Sequence, residues 1–356
     1  MMNRREVLLA TAGSFLSPGL FSISRAASQE PAGARLGIAD FSYNIRARAE
    51  RSGDAPPCVN DPLSFLQHCR DIGAGGMQCG LGSRDEAYYG QLRRFAEKHD
   101  LFIEGSTSLP RDAGDVERFD AQVRTAKRAG ASVIRVAIGG RRYEQFDTFE
   151  QFRQFAERSW KSMQLAEPIM ARHRVHLAIE NHKDFRAPEM LDMLRRLDSE
   201  YVGVCLDTGN SIALLEDPME VVRTWAPWAR SAHLKDMALC EYDQGFLLAD
   251  VPLGEGLLDL PAVVEIVRKA HPEIRFSLEM ATRDPLRVPC LTEAYWVTLA
   301  DLPGADLART LRYVRSHAVE RGSLPRVSHL PLDKQVELEE ENIKRCLSYA
   351  SQHLHL

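Results

Sequence analysis

VHLAIENHKDFRAPEMLDMLRRLDSEYVGVCLDTGN, residues 175–210, contains one complete period of the pattern that decides the fold. It opens on an apolar run, VHLAIEN (175–181), continuous in hydrophobicity rather than alternating. That is the signature of a parallel strand covered on both faces. It passes through APEMLDMLRRLDSE, whose apolar residues have helical spacing, and closes on a second apolar run, VGVCLDT (202–208). Each run has a carboxylate as its penultimate residue, Glu180 in the first and Asp207 in the second.

The same beat extends outward in both directions. Six further runs read as strands: RLGIADFSY (35–43), GMQCGL (76–81), LFIEGST (101–107), SVIRVAIGG (132–140), SAHLKD (231–236) and RFSLEMA (275–281). The stretches between them read as helices. DPLSFLQHCRDIGAGG has Asp61 as a cap, Pro62 in the first turn, and Leu63, Leu66 and Ile72 along one side. DVERFDAQVRTAKRAGA places Phe119, Val123 and Ala126 on one face and stops at Gly130. Eight strands alternating with helices predict a (β/α)8 TIM barrel over residues 34–320. A doubly wound open sheet is the rival, but no G-x-G-x-x-G follows any strand.

Two connections are long, 44–60 after the first strand and 282–304 after the last. Both leave the C-terminal ends of strands, so the barrel is expected to carry extended βα loops around its mouth. Residues 321–356 are expected to form a C-terminal helical extension, with a helix near 333–352 whose face is Val336, Ile343, Leu347 and Ala350. That face calls for a cover, either the outside of the barrel or a second copy of the chain, which makes a homo-oligomer one expected partner.

Residues 1–27 read as a targeting segment. NRREVLLATAGSFL pairs Arg4 with Arg5 ahead of an apolar stretch, and SISRAAS supplies small residues for cleavage near Ala26. The pattern resembles a twin-arginine export signal and implies a periplasmic or exported protein. Losing its three arginines and Glu6 would move the net charge from −5 to −7. An acidic chain lacks the basic face that a nucleic-acid partner requires. Past the N-terminus no run of about 20 apolar residues occurs, so no mature membrane span is expected. The seven cysteines contain no C-x-x-C pair, which argues against a structural zinc site.

The chemistry is concentrated at four consecutive strand tips. Glu180, Asp207, His233 and Glu279 lie at or near the tips of the fifth to eighth strands, at intervals of 27, 26 and 46 residues. In a barrel those tips converge on the C-terminal face. Three carboxylates in a partly buried mouth repel one another, and a divalent cation removes that cost. Three oxygen ligands and one imidazole suit one Mn²⁺, Mg²⁺ or Co²⁺ ion, and Zn²⁺ is compatible with the set.

The motifs IENH, CLDTGN, HLKD, LGEG and LEM resemble those of the xylose-isomerase-like superfamily of sugar isomerases and epimerases over about residues 34–320. The resemblance implies that Glu180, Asp207, His233 and Glu279 hold the metal and that Glu180 and Glu279 move the proton. Three positions depart from the epimerases. Asn210 stands where they have a histidine, Leu239 where they have an arginine, and Arg186 where they have a second glutamate. HLKD is similar instead to inosose dehydratases. His182 and Lys235 join the catalytic candidates, because His182 projects to the same side as Glu180 and Lys235 can hold a substrate oxygen or act as an acid. Asn210, Glu255, Arg283 and Trp296 are the substrate-binding candidates. Glu104 and Arg135, within the third and fourth strands, line the pocket or form an internal pair; Tyr295 accompanies Trp296.

The expected function is a metal-dependent isomerase or epimerase that takes a proton from beside the carbonyl of a small carbohydrate substrate, a sugar or keto-sugar. The alternatives are a lyase or dehydratase sharing that first step, acting by β-elimination on a 3-keto-glycoside or keto-cyclitol, and a non-catalytic sugar-binding protein. A nucleic-acid endonuclease on the same fold is disfavoured by Asn210 and by the acidic charge.

Overall fold

The computed structural model describes residues 35–356; the expected export segment lies outside the described residues. Eleven strands follow in chain order: β1 (Gly37–Ala39), β2 (Gly76–Cys79), β3 (Phe102–Thr107), β4 (Val133–Val136), β5 (His176–Glu180), β6 (Val202–Asp207), β7 (Ala229–Leu234), β8 (Asp236–Tyr242), β9 (Gly245–Val251), β10 (Phe276–Leu278) and β11 (Leu286–Val288). Eight of them, β1 to β7 and β10, close into a barrel with every neighbouring pair parallel. These are the eight runs expected from the sequence, and the (β/α)8 barrel is the observed fold. Helices fill the intervals, several of them started by the same device. Asp61, Asp85, Asp217 and Asp259 each accept from a backbone N–H of the first turn, and three of those helices carry proline there.

Two features go beyond the expected pattern. HLKD does not end at a loop: β7 stops at Leu234, and β8 starts two residues later as one arm of an antiparallel hairpin with β9. β11 adds to β9, so part of the long connection 282–304 completes a three-stranded sheet rising from the mouth.

The C-terminal helix, Leu332–Tyr349, docks on this chain rather than waiting for another. Its buried side is Glu339, Asn342, Ile343 and Cys346, while Val336 and Leu347 of the expected face are half-buried. Glu339 explains the rotation. Its two carboxylate oxygens accept from Ile45 N at 2.8 Å and Arg46 N at 2.9 Å, so it caps the helix Asn44–Ser52 that follows β1. At the far end, the Tyr349 ring lies against Gly254, where φ is +84° and a Cβ would fall 2.1 Å from a ring carbon. All seven cysteines are buried and free. Among the described residues no helix is long and apolar enough to cross a membrane.

Candidate metal centre

A side-chain latch recurs at the barrel mouth and sets the strand tips in register. Asn181, one residue past Glu180, behaves as an extra peptide group. Its Oδ1 accepts from Asp207 N at 2.6 Å and its Nδ2 donates to Asp207 O at 2.8 Å. Thr208, one past Asp207, does the same to Lys235, accepting from Lys235 N and donating to Lys235 O, both at 2.9 Å. Ser42 repeats it across the closure, donating to Leu278 O at 2.9 Å and accepting from Met280 N at 3.1 Å. Each latch extends a ladder beyond its last backbone bond and fixes the residue that carries the chemistry.

Between these latches Glu180, Asp207, His233 and Glu279 come together as the sequence predicts, all buried, with one ligand atom from each within 4.8 Å of the others. Asp207 is oriented by an Asx turn: Oδ1 accepts from Gly209 N and Asn210 N, both at 2.9 Å, which turns Oδ2 into the cluster. That buried oxygen has no aligned donor, although Lys235 Nζ lies 3.2 Å away. His233 is oriented from below. Glu104, bonded by Ser231 Oγ at 2.7 Å, accepts from Gln78 Nε2 at 2.8 Å, which points Gln78 Oε1 at His233 Nε2, 2.7 Å away. An amide oxygen only accepts, so Nε2 carries a proton and Nδ1 faces the carboxylates, 3.1 Å from Glu279 Oε2. Glu180 is held hardest. Arg135 donates to its Oε2 through Nε at 2.6 Å and through Nη2, and Asn210 Nδ2 donates to Oε1 at 3.1 Å.

The electrostatics follow from burial and these partners. Burial and Glu279 push the Glu180 carboxyl up, but Arg135 and His233 outweigh them and leave it below the usual range. Glu279 is held well below it against burial by Lys235 and His233. Burial lifts Asp207 to about 6 despite Lys235. Burial opposes an imidazolium at His233, yet Cys205 and Glu279 raise it well above the ordinary value; Cys205 is itself pushed up by burial and stays a thiol, so Glu279 is the effective partner. Burial and Lys183 keep His182 neutral, down to about 4, with Nδ1 buried and unpartnered. Three converging carboxylates, one oriented imidazole and an orphaned carboxylate oxygen fit a hard or borderline divalent cation.

The other candidates divide. Asn210 and Lys235 belong to the cluster. Lys235 Nζ lies 3.0 Å from Glu279 Oε2, whereas the adjacent Asp236 serves the backbone. Asp236 accepts from the backbone N–H groups of Met237, Gly254, Gly256 and Leu258, at 2.9 to 3.1 Å. A Cβ at Gly256 would fall 2.1 Å from Asp236 Oδ1, which accounts for the Gly-Glu-Gly turn. Glu255 on that turn is exposed and paired with Arg345 of the C-terminal helix. Arg283 sits at the rim on Asp250, at 2.9 and 3.1 Å. Trp296 donates to Cys290 O at 2.9 Å, and Tyr295 is fully buried with its hydroxyl on Ala213 O, so this pair anchors the 282–304 connection. Leu239 is buried within the hairpin, on β8 opposite Leu248 of β9.

Sequence reasoning missed Gln78, Ser231, Asp250 and Lys183. Lys183 is buried, and its Nζ donates to Asn210 Oδ1; burial and Lys235 push its pKa down to about 8.

Comparison with known proteins follows the same lines. A family profile described as "Xylose isomerase-like TIM barrel" matches residues 66–314. The 3-oxo-isoapionate decarboxylase of Pectobacterium atrosepticum is 32% identical over 114 residues, 32% of this chain and 42% of that protein. The match thus spans under half the length of that relative. Among solved structures, the probable 3-DHS dehydratase of petrobactin synthesis from Bacillus anthracis superposes with TM-score 0.51 at 17% identity, covering 68% of this chain and 91% of the other. A D-tagatose 3-epimerase-like protein gives 0.52 at 12% identity, covering 79% and 98%. At such identities the two structures attest the barrel alone.

Proposed function

The chain belongs to the xylose isomerase-like TIM barrel family, and from that premise we propose that it is a divalent-metal-dependent isomerase or epimerase of a sugar or keto-sugar. The observation that carries the reading is the buried quartet of Glu180, Asp207, His233 and Glu279 within 4.8 Å. An ion held there would polarise a substrate carbonyl as a Lewis acid. The protein's own groups then divide the remaining work. Glu279 is the base for the hydrogen beside the carbonyl, since its Oε1 makes no hydrogen bond among the described residues. Lys235 stands beside it as the ammonium that stabilises the developing oxyanion. Neutral His182 offers a free ring nitrogen to a substrate hydroxyl. The expected twin-arginine segment supports export as the destination, so an unphosphorylated sugar is the better substrate class.

A second reading, a lyase that forms the same enolate and then expels a neighbouring group, has one specific observation behind it. Both oxygens of Glu180 are already taken, by Arg135 and Asn210, so the second base an epimerase needs is not free. The Pectobacterium relative is named as a decarboxylase, a reaction that reaches an enolate by loss of carbon dioxide instead of a proton and then protonates it, so it shares the enolate with this reading but not the first step. NMR of products formed from keto-sugars, 3-keto-glycosides and keto-sugar acids in D₂O with Mn²⁺-loaded protein separates the two. Deuterium uptake with the skeleton retained means isomerase or epimerase, and released aglycone, water or carbon dioxide means lyase. Unchanged substrates with no deuterium uptake would sink both.

A further inference from the structure

Two lysines in this site share one neutral acceptor. Lys183 and Lys235 are each 3% exposed, and both reach Asn210 Oδ1, Lys235 at 3.4 Å. Lys183 has no ion pair among the described residues; nearby Asp250 gives one oxygen to Arg283, and its other oxygen is buried without a partner. Lys235 has Asp207 and Glu279, but those are the oxygens a cation would share. Three carboxylates in the cluster are already matched by Arg135 and Lys235 to within one charge. A dication bound with a neutral imidazole would leave the cluster positive, and Lys183 would add to the excess. Buried ammonium groups with no anion in contact are costly, and an anion brought by the substrate would offset that cost.

We propose that Lys183 and Lys235, bridged by Asn210, form an anion pocket beside the metal ligands, and that the natural substrate is a sugar acid whose carboxylate lies close to the reacting carbonyl. Lys183 is a substrate-binding residue on this account, and Asn210 spaces the two ammonium groups for the two oxygens of a carboxylate. The proposal rests on the metal-dependent reading above and deepens it, since it names the substrate class of the same site.

Calorimetric titration of Mn²⁺-loaded protein with matched pairs tests it: 2-keto-gluconate against fructose, gluconate against glucitol, and glucuronate against glucose. The expected result is that the acid of at least one pair binds about tenfold or more tighter than its neutral partner, the strength of one charge-assisted hydrogen bond. In Lys183→Met that ratio falls to near one, and in Lys183→Arg it is largely kept. If Lys183→Met does not fold, Asn210→Asp places a competing carboxylate on the same two ammonium groups and should erase the ratio too. Neutral members binding as well as acids in every pair, no acid binding at millimolar concentration, or a ratio unchanged in Lys183→Met would each overturn the proposal. Failure of the metal reading looks different: Mn²⁺ itself would give no heat on titration into the free protein.

Discussion

At the scale of the residue, Glu180 and Glu279 are the same functional group at equivalent strand tips, and their partners give them different capacities. Both Glu180 oxygens already accept hydrogen bonds, from Arg135 and Asn210, whereas Glu279 Oε1 accepts none among the described residues. Glu279→Gln should therefore slow substrate–solvent proton exchange by about 10²–10⁴-fold at any Mn²⁺ concentration, the usual contribution of a positioned base. Glu180→Gln should act mainly through metal affinity, and excess Mn²⁺ should restore much of its exchange rate. Exchange rates followed by NMR across a Mn²⁺ titration check both, and equal rescue of the two variants would contradict the assignment. Arg135 makes a second case. Its guanidinium is 19% exposed and pairs with a fully buried carboxylate. Arg135→Met leaves that charge with fewer partners and should destabilise the metal-free protein by about 3 kcal/mol, with a smaller loss when Mn²⁺ is present; urea unfolding with and without the ion measures the difference. The ligands themselves were legible in the sequence because they recur once per β/α unit. Lys183 and Gln78 were not. A lone lysine in a charged tip, and a lone glutamine in an apolar strand, carry no period that separates them from ordinary polar residues.

At the scale of the element, the C-terminal helix depends on titratable groups at its interface. Glu339 caps the helix Asn44–Ser52, and burial lifts its carboxyl to about 7. Its neighbour Glu340 meets His68 and Tyr43. Burial works against this contact, but His68 and Tyr43 hold the Glu340 carboxyl down to about 2, while His68, against burial, is raised to about 9 by its partners Cys58 and Glu340. The signs agree above the ordinary carboxylate range. The raised His68 stabilises fully below its unfolded value near 6.5, and this is lost as pH climbs through about 9. The raised Glu339 costs stability between about 4.5 and 7, as the unfolded carboxyl ionises first. The lowered Glu340 adds stability above about 4.5, lost as pH falls through about 2. Docking of Leu332–Tyr349 should thus weaken from pH 6 to pH 9, read as faster amide exchange in that helix than in the barrel strands after correction for intrinsic rates. Glu339→Ala strips the acceptor from two first-turn N–H groups and should cost about 1–3 kcal/mol. The helix was legible from its spacing, but its rotation was not: a glutamate in the buried face looks like solvent-side charge until its partners, 293 and 294 residues away, are known. The hairpin β8–β9 was hidden for a related reason. It follows β7 without a turn signal, because Lys235 alone separates the two strands.

At the scale of the whole molecule, the barrel and its site are stabilised by different means. Eight near-continuous apolar runs specify the closed sheet, which is why the fold class was legible from hydrophobicity alone. The site is an exception to that apolar logic, with carboxylates, lysines and a histidine buried together at the mouth and a half-buried arginine against them. Without an ion their charges are balanced by Arg135, Lys235 and His233, each already in contact with a carboxylate. Removal of metal should therefore leave the barrel folded. A chelated sample is expected to keep its far-UV circular dichroism, and to lose proton exchange and elimination alike. Restoring Mn²⁺ to about a thousandfold over its dissociation constant should add about 4 kcal/mol, or some 5–10 °C in Tm for a chain this size. The same ion should give a larger increment in Arg135→Met and a smaller one in Asp207→Asn, because the first increases the uncompensated negative charge and the second removes a ligand. Chelation that unfolds the barrel would mean that the balancing cations do not suffice; identical Tm values with and without Mn²⁺ would mean that the quartet holds no ion.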